Sequence, residues 1–428
     1  MTIMKKILLL LFVATLHLTA QAQTTLLKAK SYVDVRSGKL ISPANILIQG
    51  GLITTINPKT IPEGTQEINL SDKILLPGLM DMHVHLDMDM EPNYQYTLVN
   101  ESGSKNTLRG AKNAEKTVLA GFTTVRSMGQ AHPSHELIDV ALAEASEQGW
   151  IIAPHIIPVG HMIGITGGHA DLSMMGGFAE GVMDLGPEYG MVNSTDDALK
   201  ATRYMIKYGA KAIKIMATAG VFSLESSVGA QQLTNEEMKT IVEEAIRHNI
   251  TVAAHAHGTE GIIAAINAGV TSIEHGSLLN DEAINLMLKK GTYLVPTTGL
   301  LDQMPKSYDK MDPRIVKKAK YIIIEADKGH RKAFKAGVKV ALGTDAPLIP
   351  HGQNALEFTA MVNRGMKPID ALRAATINPA AMLHLTDRGE IKTGLMADII
   401  AVDDNPLKEV KTLEHVVFVM KAGTILKQ

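Results

Sequence analysis

ILLPGLMDMHVHL, residues 74–86, decides how this chain is read. An apolar run breaks at Pro77-Gly78, resumes, and ends on His83 and His85. Alternation along a strand turns residues i and i+2 to one side, so both imidazoles can reach one ion. Further along, KAIKIMAT carries Lys214, ITVAAHAH ends on His255 and His257, TSIEHGS carries His275, and VKVALGTDA carries Asp345. A parallel barrel gathers the C-terminal ends of its strands at one face, so residues distant in sequence meet there. Histidines, a carboxylate and a buried lysine on such a face describe a binuclear metal site, and a hydrolase is the leading reading.

The segments between these runs fit that topology. Strands are expected at Leu79–His85, Phe122–Met128, Ile151–Pro158, Ala212–Ala217, Thr251–His257, Ser272–His275, Thr292–Pro296 and Val338–Gly343. Amphipathic stretches separate them. NEEMKTIVEEAIRHN follows Thr234, with Glu237 at the capping-box position, and TEGIIAAINAG ends at the C-cap glycine Gly269. Eight such units predict an α/β chain, a (β/α)8 TIM barrel, over residues 78–385. Residues 23–77 and 386–428 read instead as short strands and turns, and predict a small composite β-sandwich built from both termini. The glycine-rich stretch 160–190 is the main insertion, placed to overhang the barrel mouth.

Residues 1–22 are set apart. Lys5 and Lys6 precede ILLLLFVA, and Ala20-Gln21-Ala22 offers a small-x-small cleavage site, so a cleaved signal peptide and a periplasmic or secreted protein are expected. No later window resembles a membrane span. A formal charge of −2 without a basic stripe argues against nucleic acid as a partner. The absence of cysteine excludes thiolate metal sites and cysteine nucleophiles, leaving N and O ligands.

Each candidate has a bland alternative. His83 and His85, or His255 and His275, could be hydrogen-bonded interior histidines. Lys214, among apolar neighbours in AIKIM, could pair with a carboxylate. Its other reading is a lysine whose depressed pKa leaves an amine able to add carbon dioxide, giving a carbamate that bridges two cations. Asp345 alone would read as a turn or helix cap, whereas in this constellation it can bind metal and accept a proton from water.

PGLMDMHVHL, GAKAIKI, VAAHAHG, SIEHG and GTDA are similar, in order, to the ligand motifs of the amidohydrolase superfamily. The resemblance runs from about Leu27 to Lys427, with IQGGLITTI and KTGLMADIIAVDDNP matching its flanking β segments. GFTTVR, TGGHAD, AGVFS, QQLTNEEM and LIPHGQNA resemble the imidazolonepropionase-like branch, in particular its metal-dependent Xaa-Pro dipeptidases. The resemblance implies two divalent ions, commonly zinc: one held by His83, His85 and Asp345, the other by His255 and His275, with N6-carboxylated Lys214 bridging. It further implies a metal-bridging hydroxide as nucleophile, Asp345 as proton carrier, and His169 near the substrate, although His169 could equally be a structural loop histidine.

The substrate expected from the resemblance is a dipeptide or N-acyl amino acid with a free carboxylate. His257, Arg203, Tyr204, Val221 with its neighbour Gly220, and His351 are candidates for binding it. Hydrolysis of a cyclic amide, hydrolysis of a bulkier N-acyl amino acid, and a non-catalytic periplasmic zinc-binding protein are the alternatives. A homo-oligomer is compatible with all of them.

Overall fold

The computed structural model describes residues 24–90, 96–173, 178–222 and 227–428, so the expected signal peptide lies outside the described residues. The chain is mixed α/β. Two parallel ladders carry the site. One joins Leu79–Val84, Phe122–Ser127 and His155–Ile157, and the other joins Ala212–Met216, Thr251–Ala256, Ser272–His275 and Tyr293–Val295.

Backbone hydrogen bonds link the ladders at both margins. On one side the amides of Lys211 and Ile163 donate to Pro158 and Lys214, each at 2.8 Å. On the other, Ala341 donates to Leu294 at 3.0 Å and Met82 donates to Leu342 at 2.8 Å. The expected strand Val338–Gly343 is thus an extended run bridging Tyr293–Val295 to Leu79–Val84, without a regular ladder of its own. The expected strand Ile151–Pro158 shrinks to His155–Ile157, because Pro154 and Pro158 flank it and proline has no amide to donate.

Local signals set the helices between strands. At Asn235–Arg247 the capping box forms: the Thr234 amide donates to Glu237 Oε2 at 2.8 Å, and the Glu237 amide donates to Thr234 Oγ1 at 3.2 Å. The helix Thr259–Ala268 ends at Gly269, whose φ of 100° is left-handed and costs glycine nothing.

Strands from both ends of the chain pair in one eight-stranded sheet, rather than in two separately bonded layers. Its seam is antiparallel, with Ile399 opposite Pro77 and Val402 opposite Ile74. Ile399–Val402 is buried on both faces. Ile399 and Ala401 pack with Leu27, Ile46 and Phe418, while Ile400 and Val402 pack with Phe122, Phe358 and Leu372. Each fully buried side chain of this kind contributes about 1.5–3 kcal/mol. The first strand carrying site histidines therefore leaves the sheet at Pro77-Gly78 with its base anchored. No described helix is long and apolar enough to cross a membrane.

Candidate metal centre

The histidines of the quoted stretch sit where alternation puts them. His85 Nδ1 lies 2.7 Å from the carbonyl of Gly129, which can only accept, so Nδ1 carries a proton and the ring turns Nε2 toward Asp345. His83 Nδ1 lies 2.8 Å from Glu274 Oε2. Burial alone would raise the Glu274 carboxyl, but Arg126 and His83 hold it down at about 2, so it is an acceptor and His83 Nε2 is a lone pair.

Asp345 completes this group. It adopts a left-handed φ of 58°, its amide donates to the carbonyl of His83 at 2.8 Å, and its Oδ1 lies 3.4 Å from His83 Nε2 and 3.5 Å from His85 Nε2. Burial opposes its ionisation, yet the surrounding histidines keep its carboxyl far below the usual range. Asp81 locks the two segments together. It accepts from the amides of His83 at 3.0 Å and Thr344 at 3.1 Å, and from Thr344 Oγ1 at 2.6 Å and Asn354 Nδ2 at 2.8 Å.

A second group forms at the ends of the next ladder. Ligand atoms of His255, His257 and His275 lie within 4.8 Å of one another, as do those of His83, His85 and Asp345. His275 Nδ1 meets Thr297 Oγ1 at 2.9 Å and His257 Nδ1 meets Ser277 Oγ at 2.7 Å. His275 has φ 67°, and His330 Nε2 lies 2.7 Å from its carbonyl. Burial holds His255 and His275 well below the ordinary imidazole pKa and brings His257 to about 3. His255 Nε2 is buried with no hydrogen-bond partner among the described residues.

Lys214 lines the same cavity as His83, His85, Asp345, His255 and His275, while His257 lines the adjoining pocket. Lys214 is 1% exposed, and burial lowers its pKa to about 8, so a neutral fraction is accessible near neutral pH. The donor set fits divalent ions. His83 Nε2 and His85 Nε2 converge on the ionised Asp345 carboxylate, and a buried His255 nitrogen has no hydrogen-bond partner among the described residues. Neutral imidazole and carboxylate are what zinc and similar ions take in the absence of thiolates.

The cavity is walled by Met88, Met162, Met216 and Phe222 and adjoins a second pocket whose apolar side is formed by Val221, Leu300, Leu301, Met304, Ile322 and Ile323. His169 lines both, its ring 4.4 Å from that of His255. Of the residues expected to bind substrate, Val221 and His257 line the second pocket, and His257 also joins the second histidine group.

Arg203 and Tyr204 are placed elsewhere. They stand on the helix Thr195–Lys207, where Arg203 Nε donates to Glu244 at 2.7 Å and the Tyr204 hydroxyl meets His135 at 3.2 Å. Neither lines the two pockets, nor does buried His351.

Sequence reading passed over Arg126, Glu274 and Asp81. All three are fully buried charged residues inside strands, the signal that singled out Lys214. Two opposite charges in the apolar runs FTTVRS and TSIEH were a legible hint of a partnership.

Comparison with known proteins bears on the whole chain. A profile of the amidohydrolase family matches residues 74–427. Ochratoxinase of Aspergillus niger is 32% identical over 442 aligned positions, covering 96% of this chain and 88% of that protein. Its crystal structure superposes with a TM-score of 0.82 over 95% of this chain and 96% of its own, at 29% identity. A Xaa-Pro dipeptidase solved with methionine in its active site gives a TM-score of 0.88 at 37% identity, over 95% of this chain and 100% of that one. A prolidase complexed with N-methylphosphonate-L-proline gives 0.84 at 28% identity, again over 95% and 100%. Motifs, ladder topology and a match spanning most of the length agree: the chain belongs to the amidohydrolase family.

Proposed function

We propose that this protein is a binuclear metal-dependent hydrolase that cleaves the amide bond of dipeptides or N-acyl amino acids. One observation carries the reading: His83, His85 and Asp345 from one group, and His255 and His275 from the other, line one cavity together with the buried Lys214. In this reading His83, His85 and Asp345 hold one ion, His255 and His275 hold the other, and Lys214 joins them as its carbamate. The linked ladders are then a (β/α)8 barrel over residues 78–385. The sheet that pairs strands of residues 23–77 with strands of 386–428 is its composite β domain, and residues 1–22 are an export signal.

Divalent ions, commonly zinc, supply Lewis acidity at the scissile carbonyl and make water acidic near neutral pH. The chain supplies the rest. The neutral Lys214 amine adds to carbon dioxide through nitrogen and releases one proton, leaving an anion with two ligand oxygens. The Asp345 carboxylate accepts a proton from the attacking water and delivers it to the leaving nitrogen. In this reading His169, whose ring lies 4.4 Å from that of His255, donates to the developing oxyanion. The apolar pocket beyond His169 receives an apolar group of the substrate, and the methionine-lined walls exclude water.

A second reading is favoured by that pocket together with the likeness to ochratoxinase: the acyl group is bulky and apolar rather than a second amino acid. One panel separates the readings. kcat/KM is measured for Xaa-Pro and other dipeptides, N-acyl amino acids, their C-terminal amides and a cyclic imidazolone or lactam, with and without chelator. Blocking the free carboxylate is expected to cost about 2–5 kcal/mol, or about 30- to 4000-fold. Equal rates for acid and amide, or preference for the ring, refute the dipeptidase reading. No turnover of any amide by zinc-loaded protein leaves only the zinc-binding alternative.

A further inference from the structure

A line of buried polar groups runs beneath one half of the metal centre and touches no substrate. Arg126, fully buried, donates through Nε to the carbonyl of Met82 at 2.8 Å, through one terminal nitrogen to Ser272 Oγ at 3.2 Å, and through the other to Glu274 Oε1 at 2.8 Å. Ser272 Oγ donates to the same Oε1 at 2.5 Å. One oxygen of Glu274 is thus committed to Arg126 and Ser272, and Oε2 is left for His83 Nδ1 at 2.8 Å. These contacts join the strands Leu79–Val84, Phe122–Ser127 and Ser272–His275 through the interior. The other histidine group is backed differently: His257 and His275 meet only hydroxyls at Nδ1.

We propose that Glu274 is a positioning residue for the ion held by His83, His85 and Asp345. Clamped by Arg126 and Ser272, it fixes the imidazole proton of His83 on Nδ1 and so keeps Nε2 free as a ligand. The inference rests on the reading of the site as a metal centre, and it goes further by giving the two ion positions unequal support.

The substitution that isolates this role is Glu274→Gln, which barely changes volume. An amide has one acceptor oxygen. Arg126 can only donate, so the oxygen stays with Arg126 and Ser272, and the amide NH2 turns to His83 Nδ1. His83 must then accept at Nδ1 and carry its proton on Nε2, the atom 3.4 Å from Asp345 Oδ1. The reverse orientation puts an NH2 against a permanent buried cation. Loss of an outer partner of this kind typically costs about 10- to 100-fold in metal affinity.

The test uses full-length, zinc-saturated protein challenged with a chromogenic chelator, following each equivalent of zinc released. In E274Q one equivalent is expected to leave about 10- to 100-fold more readily, while the other stays within about 3-fold of wild type, even though the protein melts lower because buried Arg126 loses its counter-charge. Release of both equivalents as in wild type, or equal acceleration of both, overturns the inference and leaves Glu274 a structural residue. Should E274Q fail to fold, nitrogen-15 spectra of histidine-labelled wild-type holoprotein decide. A solvent-protected proton on His83 Nδ1 supports the assignment, and an unprotonated or metal-bound Nδ1 overturns it. Wild-type protein that binds no divalent ion defeats the metal-centre reading itself, whereas two ions released alike in E274Q defeat this inference alone.

Discussion

Gly220→Ala tests whether His169 acts in the reaction without altering His169. A Cβ added at position 220 would stand 2.3 Å from Cε1, 2.4 Å from Nε2 and 2.6 Å from Nδ1 of His169. Ordinary contact between such atoms begins near about 3.5 Å, so the ring must retreat by about 1 Å or more. Gly220 lies in a conformation any residue can adopt, and its carbonyl accepts from Lys318 Nζ at 3.1 Å, so the backbone is held while the ring gives way. Retreat toward His255 is blocked by a ring centroid 4.4 Å away. The overpacking is expected to cost about 1–3 kcal/mol of stability, and misplacing a reacting group by about 1 Å about 100-fold in rate. The assay is kcat and KM on the best substrate of the panel, with metal content and melting temperature measured on the same samples. The expected result is a fall in kcat of about 100-fold at full metal content, matched by His169→Ala without the loss of stability. Full activity in G220A, or activity falling only in step with metal, refutes a part for His169 in the chemistry.

Three further outcomes are expected. Lys214→Ala loses most bound metal and nearly all activity because the bridging anion is gone, and short carboxylates in the buffer partly restore both; two metals and normal turnover in this variant refute the carbamate. Asp345→Asn keeps the fold but loses about 100- to 10,000-fold in kcat, since an amide cannot take up the proton; a near-native kcat, with metal content measured alongside, removes Asp345 from proton transfer. A chain starting at residue 23 is soluble and active, and its insolubility beside a soluble full-length chain refutes the export signal.

What was legible came from a rule of geometry that needs no distances. Parallel strands end on one face, so His83, His85, Lys214, His255, His275 and Asp345 could be brought together from their places after apolar runs. What was illegible needed a third dimension. Arg203 and Tyr204 were attractive for their chemistry alone. Yet the buried positions of their helix are Ala198, Ala201, Thr202 and Met205, spaced as one face, and Arg203 and Tyr204 fall off it. That pattern stood in the sequence unused. The extended run at 338–343 is different: it completes its hydrogen bonds with two neighbours without forming a ladder, which no propensity foretells. Glu274 and Arg126 escaped because each reads as an isolated charge until the strands are set side by side.

The charges gathered at the centre give Lys214 its meaning. The histidines are held neutral by burial, so they contribute ligands without charge. Glu274 and Asp345 are anionic, Arg126 is cationic, and Lys214 decides the balance. As an ammonium it adds a second buried positive charge beside Arg126 and opposes a dication brought next to it. As a carbamate it replaces that positive charge with a negative one, and buried negative charge without a partner is costly in a low-dielectric interior unless cations arrive. In the proposed reading, therefore, the lysine's modification and the filling of both ion positions support each other. The depressed pKa of Lys214 near 8 is the small step that lets the exchange begin. Glu274, clamped by Arg126, stays outside that exchange. Its charge is already balanced within the chain, so it can keep His83 in one tautomer whether Lys214 is an amine or a carbamate.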